Sequence, residues 1–144
     1  MNDMEPMMQK KREVAALLPY RKSARGFEFF LQQREVSAHV NSGLLDLFGG
    51  GTEEGETLEE TLRREIQEEL EYTPQSYVYF SRYENATHVC HVFLEAVDDS
   101  FEDTVHVHEG LHGKFFTVPE AEKEKIFEQT LMVLKEVSKI VVSH

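Results

Sequence analysis

The sequence predicts an α/β fold in which a sheet lies between helices. Short apolar or alternating runs indicate strands on both sides of one acidic helix, and an amphipathic stretch at the end of the chain indicates a second helix. The 144 residues suffice for one domain with a full hydrophobic core. We therefore expect a disordered N-terminus over residues 1–10 and a single domain over residues 11–144.

Three runs indicate strands before the acidic helix. EVAALL (13–18) is apolar and GFEFFLQQR (26–34) alternates, so both are predicted to be strands, with a turn near residues 20–23. A third apolar run, residues 44–47, leads into the glycines of residues 49–51. Glycines in that position indicate a strand that ends where the backbone approaches a ligand closely.

The acidic helix has clear start and stop signals. Thr57 and Glu60 have the spacing of a capping box, in which each side chain accepts a hydrogen bond from an unpaired backbone N–H. Pro74 disfavours helical backbone angles at Thr73, so the helix should end before it. Its apolar residues recur every four positions and should pack on the core: Leu58, Leu62, Ile66 and Leu70.

The second half of the chain supplies the remaining elements. Proline in a first turn favours a helical segment opening at Pro119. A polar loop is expected over residues 98–103, followed by alternating Val and His. The other elements are an antiparallel pair of strands (76–83 and 87–97), a strand (114–118) and an amphipathic helix (129–142).

Three carboxylates of the acidic helix share one sector. At about 100° per residue, Glu65, Glu68 and Glu69 lie together at the margin between core and solvent. Such like charges raise one another's pKa unless a cation lies among them. Hard divalent cations with oxygen ligands, Mg²⁺ or Mn²⁺, suit this cluster. A solvated acidic helix face is the alternative reading.

These residues resemble the signature of the Nudix hydrolases, G-x5-E-x7-R-E-U-x-E-E-x-G-U, where U is a bulky aliphatic residue. The matching residues are Gly50, Glu56, Arg64-Glu65-Ile66 and Glu68-Glu69. Two positions depart from it, because Glu71 replaces the glycine and Tyr72 replaces the last aliphatic residue. The resemblance implies an αβα sandwich with a mixed central sheet. It also implies an Mg²⁺-dependent pyrophosphohydrolase that cleaves a nucleoside diphosphate linked to another moiety, foremost a nucleoside triphosphate to monophosphate and pyrophosphate.

The resemblance assigns roles within the signature. Glu65, Glu68 and Glu69 would hold the metal, and similarity to the MutT-type members adds the Gly49 carbonyl as a ligand. Arg64 would orient Glu65 through a charge-assisted hydrogen bond.

The resemblance extends to residues outside the metal cluster. Gly50 and Glu56 would be structural, with Glu56 bracing the loop. Family members often have an acidic residue well downstream that completes the site, so the general base is Glu109 or Glu65, with Glu102 in reserve. Arg34 stands where the family often has a basic residue that contacts phosphate or base.

A second motif points to different chemistry. His108-Glu109-Gly110-Leu111-His112 matches H-E-x-x-H, the zinc-protease pattern, in which a helix places both histidines one turn apart. Gly110 and the strand-like alternation before His108 oppose a helix there. A zinc hydrolase is therefore the less favoured alternative, beside a catalytically silent Nudix-fold nucleotide sensor.

Composition limits the partners. The formal charge of −12, with no basic face, argues against a nucleic-acid polymer. Only Cys90 is present, and no long apolar run or signal segment occurs, which favours a soluble cytoplasmic protein without a membrane partner. The substrate is expected to be a nucleotide or another small-molecule diphosphate. Family signatures for ADP-ribose or dinucleoside polyphosphates are absent, because Thr87 to Cys90 stand there. The exact substrate, the number of metal ions and the oligomeric state stay open.

Overall fold

The structure is a computed structural model that describes residues 10–34, 43–108 and 111–142. Within these ranges the chain forms seven strands and four helices. In chain order they are β1 (Arg12–Ser23), β2 (Gly26–Arg34), β3 (Leu45–Asp46), β4 (Phe48–Gly51), α1 (Leu58–Leu70), β5 (Tyr77–Glu84), β6 (His88–Ala96), α2 (Phe101–Thr104), β7 (Leu111–Phe116), α3 (Val118–Glu122) and α4 (Glu128–Val142).

The strands form one mixed sheet in the order β3-β2-β1-β6-β5. β1 and β6 pair in parallel, from Arg12 opposite His88 to Tyr20 opposite Ala96, and the other named strand pairs are antiparallel. β4 pairs with the first half of β1, and β7 pairs with β2. The α/β prediction, with a mixed sheet between helices, is confirmed.

Each face of the sheet carries its own core, because successive side chains of a strand point to opposite faces. Ala15 and Leu17 of β1 pack on the α1 side, together with Phe30 and Phe93. Three members of the predicted helical stripe are fully buried there: Leu62, Ile66 and Leu70. On the other face, Ala16 and Leu18 of β1 pack with Val133, Leu134 and Val137 of α4.

The turn expected near residues 20–23 is wrong. These residues continue β1 and pair with β2, and the chain reverses only after Ser23, with Gly26 at φ +103°. Cross-strand contacts explain the longer ladder, since Arg21 Nε donates to Glu28 Oε1 at 2.9 Å and the rings of Tyr20 and Phe27 lie 6.4 Å apart.

Three other boundaries differ from the sequence-based ones. The loop predicted over residues 98–103 contains the one-turn helix α2, and residues 105–108 are irregular rather than a strand. β7 begins before residue 114 and ends at Phe116, because Thr117 caps α3 through a capping box with Glu120.

Residues 1–9 of the predicted N-terminal tail lie outside the described residues. Among the described helices, none has the length and apolar character that crossing a bilayer requires.

Candidate active site

The glycines of β4 allow side chains to lie directly against the backbone. A Cβ atom at Gly50 would lie 2.3 Å from Cδ of Glu65, and one at Gly51 would lie 2.3 Å from Nε of Arg12. Gly49 has φ +149°, and a Cβ atom there would meet the Ala15 carbonyl oxygen at 2.2 Å. A larger residue at any of these positions would therefore displace its neighbours.

The N-terminus of α1 is fixed as the sequence predicts. Thr57 is the N-cap residue, its hydroxyl accepts from Glu60 N at 3.1 Å, and Glu60 Oε1 accepts from Thr57 N at 2.9 Å. The capping box is confirmed. It sets the phase of the helix, and so determines which carboxylates face the glycine strand.

Arg64 joins the glycine strand to the acidic helix. Its Nε and Nη2 donate to the two oxygens of Glu56 at 2.7 and 3.0 Å, and Nη2 also donates to the Gly51 carbonyl at 3.0 Å. Its Nη1 donates to Glu65 Oε1 at 3.0 Å. The Arg64 hydrogen bonds are the main reason that the pKa of Glu56 falls to about 2. Arg64 thus connects Glu56, Glu65 and the Gly51 carbonyl through one guanidinium group.

Glu69 is the carboxylate of the cluster that contacts the glycine strand through a backbone N–H. Its Oε1 accepts from Gly49 N at 2.7 Å. Burial is the main reason that its pKa rises to about 8; the hydrogen bond from Gly49 opposes the shift, and the charges of Glu65, Asp46 and Glu68 add to it. Among the described residues, the ionised form of Glu69 therefore lacks a compensating cation at the point where the helix meets the glycine strand.

The donor chemistry of this cluster fits a hard divalent cation. All three side chains offer carboxylate oxygens. The raised pKa of Glu69 shows that its ionised form is disfavoured, and a bound cation would stabilise that form. Within the described residues, no three ligating side chains are already arranged around one point. Glu65 and Glu68 instead accept from Arg64, at 3.0 and 3.4 Å. Ion binding would therefore require these side chains to rotate.

A cleft of about 920 Å³ adjoins the cluster on the α4 side of the sheet. Glu69 and Gly49 lie in its wall beside Arg34, the basic residue that the sequence singled out. The wall combines apolar and polar groups, among them Gln32, Asp46, Tyr83, Asn85, His88, Phe127, Thr130 and Met132.

Asp46 belongs to this site, and sequence analysis did not assign it a role. Its Oδ1 accepts from Thr130 Oγ1 at 2.8 Å and from Leu47 N at 2.7 Å. Burial raises its pKa, and Arg34 opposes the shift. The available signal was an acidic residue inside the apolar run that precedes the glycines, but only the fold shows that Thr130 of α4 lies opposite.

The two departures from the signature have partners at the end of α1. Glu71 ends the helix in the left-handed region, at φ 50° and ψ 43°, and its Oε2 lies 3.8 Å from His106 Nε2 and 3.6 Å from His108 Nε2. Tyr72 packs its ring on Phe101 with centroids 5.2 Å apart. The Tyr72 hydroxyl also donates to the buried Glu95 at 3.0 Å. Both replacements are therefore held by contacts outside the signature.

The remaining candidates fall elsewhere. His108 is irregular and His112 lies in β7, so the described part of the H-E-x-x-H segment is not the helix that zinc binding would need. Glu109, the proposed base, lies outside the described residues. Glu102, the reserve candidate, pairs with Arg21 at 3.3 Å, next to the β1–β2 turn.

Comparison with known proteins agrees with this geometry. A family model described as NUDIX domain matches residues 10–135. The 8-oxo-dGTP diphosphatase of Escherichia coli K12 is 40% identical over 57 residues, which cover 40% of this chain and 43% of that protein. This match therefore spans less than half of the relative's length.

Solved structures of the same fold cover nearly the whole chain. A MutT structure from a study of Aliivibrio salmonicida and Vibrio cholerae is 22% identical with a TM-score of 0.71, and covers 90% of this chain and 98% of its own. The NUDIX domain of Shewanella oneidensis NrtR, in complex with ADP ribose, is 14% identical with a TM-score of 0.75. That match covers 98% of this chain and 99% of the NrtR domain chain. A C. elegans Ap4A hydrolase is 19% identical with a TM-score of 0.67, and the match covers 92% of this chain and 99% of the hydrolase chain.

Proposed function

Because the chain belongs to the Nudix family, we propose that it is a cytoplasmic, divalent-metal-dependent pyrophosphohydrolase that cuts a nucleoside triphosphate to monophosphate and pyrophosphate. The observation that carries this proposal is the state of Glu69. Its carboxylate is partly buried against Gly49 N–H at 2.7 Å, and its pKa of about 8 marks a site short of positive charge.

The side chains divide the work between binding and positioning. Glu65, Glu68 and Glu69, with the Gly49 carbonyl, would hold Mg²⁺ or Mn²⁺, which supplies charge neutralisation at the phosphoryl oxygens. Arg64 would keep Glu65 in place, since one guanidinium spans Glu56, Glu65 and the Gly51 carbonyl.

Hydrolysis requires a proton acceptor as well as charge neutralisation. A water oxygen forms a new bond to phosphorus while the bridging P–O bond between the α- and β-phosphates breaks. The departing product, pyrophosphate or nucleoside monophosphate according to which phosphorus is attacked, takes the bonding electrons. The water proton passes to a carboxylate, and Glu109 and Glu65 are the two candidates. Glu65 is supported by its place against Gly50, and Glu109 by its position in the sequence alone.

The cleft is the proposed substrate site. Its volume of about 920 Å³ suits a nucleotide, and Arg34 in its wall would contact phosphate or base. The names of the similar proteins mention 8-oxo-dGTP, ADP ribose and Ap4A, which all contain nucleoside phosphates. We therefore propose a nucleotide substrate. Phe48, where MutT-like members often have proline, argues against assuming an oxidised guanine base.

The test is a pyrophosphate-release and phosphate-release screen with Mg²⁺ or Mn²⁺ over nucleoside triphosphates, nucleotide sugars and dinucleoside polyphosphates. Parent, Glu69→Gln and Glu59→Gln are compared. Glu59 is the matched control, because it lies exposed in the first turn of the same helix and contacts Tyr77 rather than the site. We expect metal-dependent turnover that only Glu69→Gln abolishes. Tight nucleotide binding without turnover would refute the hydrolase and identify a sensor.

A further inference from the structure

Arg12 lies on the glycine strand, on the side opposite the acidic helix. A Cβ atom at Gly51 would come within 2.3 Å of its Nε and 2.4 Å of its Nη2. The Gly51 carbonyl accepts from Arg64 at 3.0 Å. Two guanidinium groups therefore contact the same residue, and the absent side chain at Gly51 is what makes room for Arg12.

The register of the sheet turns Arg12 toward the cleft. Arg12 lies opposite His88, a residue of the cleft wall, in the parallel β1–β6 ladder. It also shares its face of β1 with Val14 and Ala16, which line the cleft as well. Arg12 consequently lies at the outer end of the same surface.

Arg12 has an uncompensated charge, unlike Arg64 on the other side of the glycine strand. Its side chain is exposed and, among the described residues, has no ion pair or hydrogen bond. Arg64, by contrast, is held by Glu56 at 2.7 Å. In a chain of formal charge −12, a cation without a partner beside the site is available to an anionic ligand.

The order of groups along β3 and β4 indicates which part of a bound nucleotide Arg12 would contact. Asp46 lies in the cleft, Gly49 contacts Glu69, Gly50 contacts Glu65 and Gly51 contacts Arg12. At about 3.3 Å per residue, Arg12 sits roughly 7 Å beyond the point where Glu69 meets the strand. A nucleotide with its nucleoside in the cleft would pass its phosphates by Glu69, which lines the same cleft, toward Arg12.

We propose that Arg12 binds the terminal phosphates of the polyphosphate substrate, beyond the carboxylate cluster. The inference rests on the proposed function and extends it by naming a binding residue outside the family signature. A guanidinium suits this role because its fork donates two hydrogen bonds to one phosphate, whereas lysine offers only a point charge.

The experiment compares parent, Arg12→Ala, Arg12→Lys and Lys22→Ala in steady-state hydrolysis of dGTP with Mg²⁺. Lys22 is the matched control, an exposed cation at the far end of the same strand and on the same face. We expect Arg12→Ala to raise KM about tenfold and to weaken product inhibition by pyrophosphate to a similar degree. Arg12→Lys should restore part of both, and Lys22→Ala should match the parent.

Two further readouts separate this inference from the proposed function. Binding of dGMP should be the same in parent and Arg12→Ala, because dGMP lacks the terminal phosphates. If the parent turns over and Arg12→Ala keeps its KM and its pyrophosphate inhibition, the role of Arg12 is refuted while the hydrolase stands. If the parent has no turnover, calorimetric binding of pyrophosphate decides. Weaker binding by Arg12→Ala supports the site, and equal or absent binding overturns it.

Discussion

Replacing Glu69 by glutamine should make the stability of the metal-free protein far less dependent on pH. The substitution keeps the shape of the side chain and an oxygen for the Gly49 N–H, but removes the ability to ionise. Burial raises the pKa of Glu69 from 4.5 to about 8, so the folded state holds this proton more tightly than the unfolded state does. Between these two values the folded state binds more protons, and the free energy of unfolding falls as the pH rises.

The size of the effect follows from the shift. One pKa unit is worth about 1.4 kcal/mol, so the parent should lose about 4 to 5 kcal/mol through Glu69 between pH 4.5 and pH 8. Below pH 4.5 the carboxyl is neutral in both states, and parent and Glu69→Gln should have similar stability. Above pH 8 the variant should be the more stable protein by the full amount.

Urea unfolding in the presence of EDTA, at several pH values from 4 to 9, measures this difference directly. Mg²⁺ added at pH 8 should raise the stability of the parent and leave Glu69→Gln almost unchanged, because a ligand that binds only the folded state stabilises it. Glu59→Gln should follow the parent throughout. Stability curves of parent and Glu69→Gln that run parallel across this pH range would refute the account of a buried carboxyl that lacks a compensating cation.

Three other substitutions test the site and its supports. Glu71→Gly should raise the stability by about 0.5 to 1 kcal/mol in urea unfolding, because glycine adopts the left-handed backbone of this helix end without strain; a loss would mean that its imidazole contacts outweigh the strain. Glu56→Gln should lower kcat about tenfold to a hundredfold with little change in KM, because Arg64 loses the carboxylate that accepts two of its hydrogen bonds. An unchanged kcat would exclude a role of Glu56 in positioning Arg64. Its acid unfolding should also shift, since a carboxyl with its pKa lowered to about 2 stabilises the fold above pH 4.5 and loses that effect as the pH falls through 2. Tyr72→Phe should cost about 1 to 2 kcal/mol in the same unfolding assay, because buried Glu95 loses a donor, and no cost would show that water replaces it.

Sequence analysis succeeded where the determining interactions are local. The capping box at Thr57 depends on residues three apart, and the carboxylate sector depends only on helical geometry, so both could be derived without knowledge of the fold. The signature then linked them to a glycine strand that the structure places beside Glu69.

What sequence analysis missed depends on contacts between distant segments. Asp46 becomes part of the site because Thr130 of α4 donates to it, and Arg12 reaches Gly51 because β1 pairs with β4. No short-range pattern encodes either register. The turn near residues 20–23 failed for the same reason, since pairing with β2 outweighed the local preference for a turn.

The parallel pairing of β1 with β6 has a consequence for how the protein folds. Arg12 can lie opposite His88 only after the chain has closed a loop that contains the whole of α1. Closing so long a loop costs entropy before it gains contacts, so folding should be slow compared with that of helical proteins. The acidic helix can form early, but its carboxylates meet the cleft only when this late closure is complete.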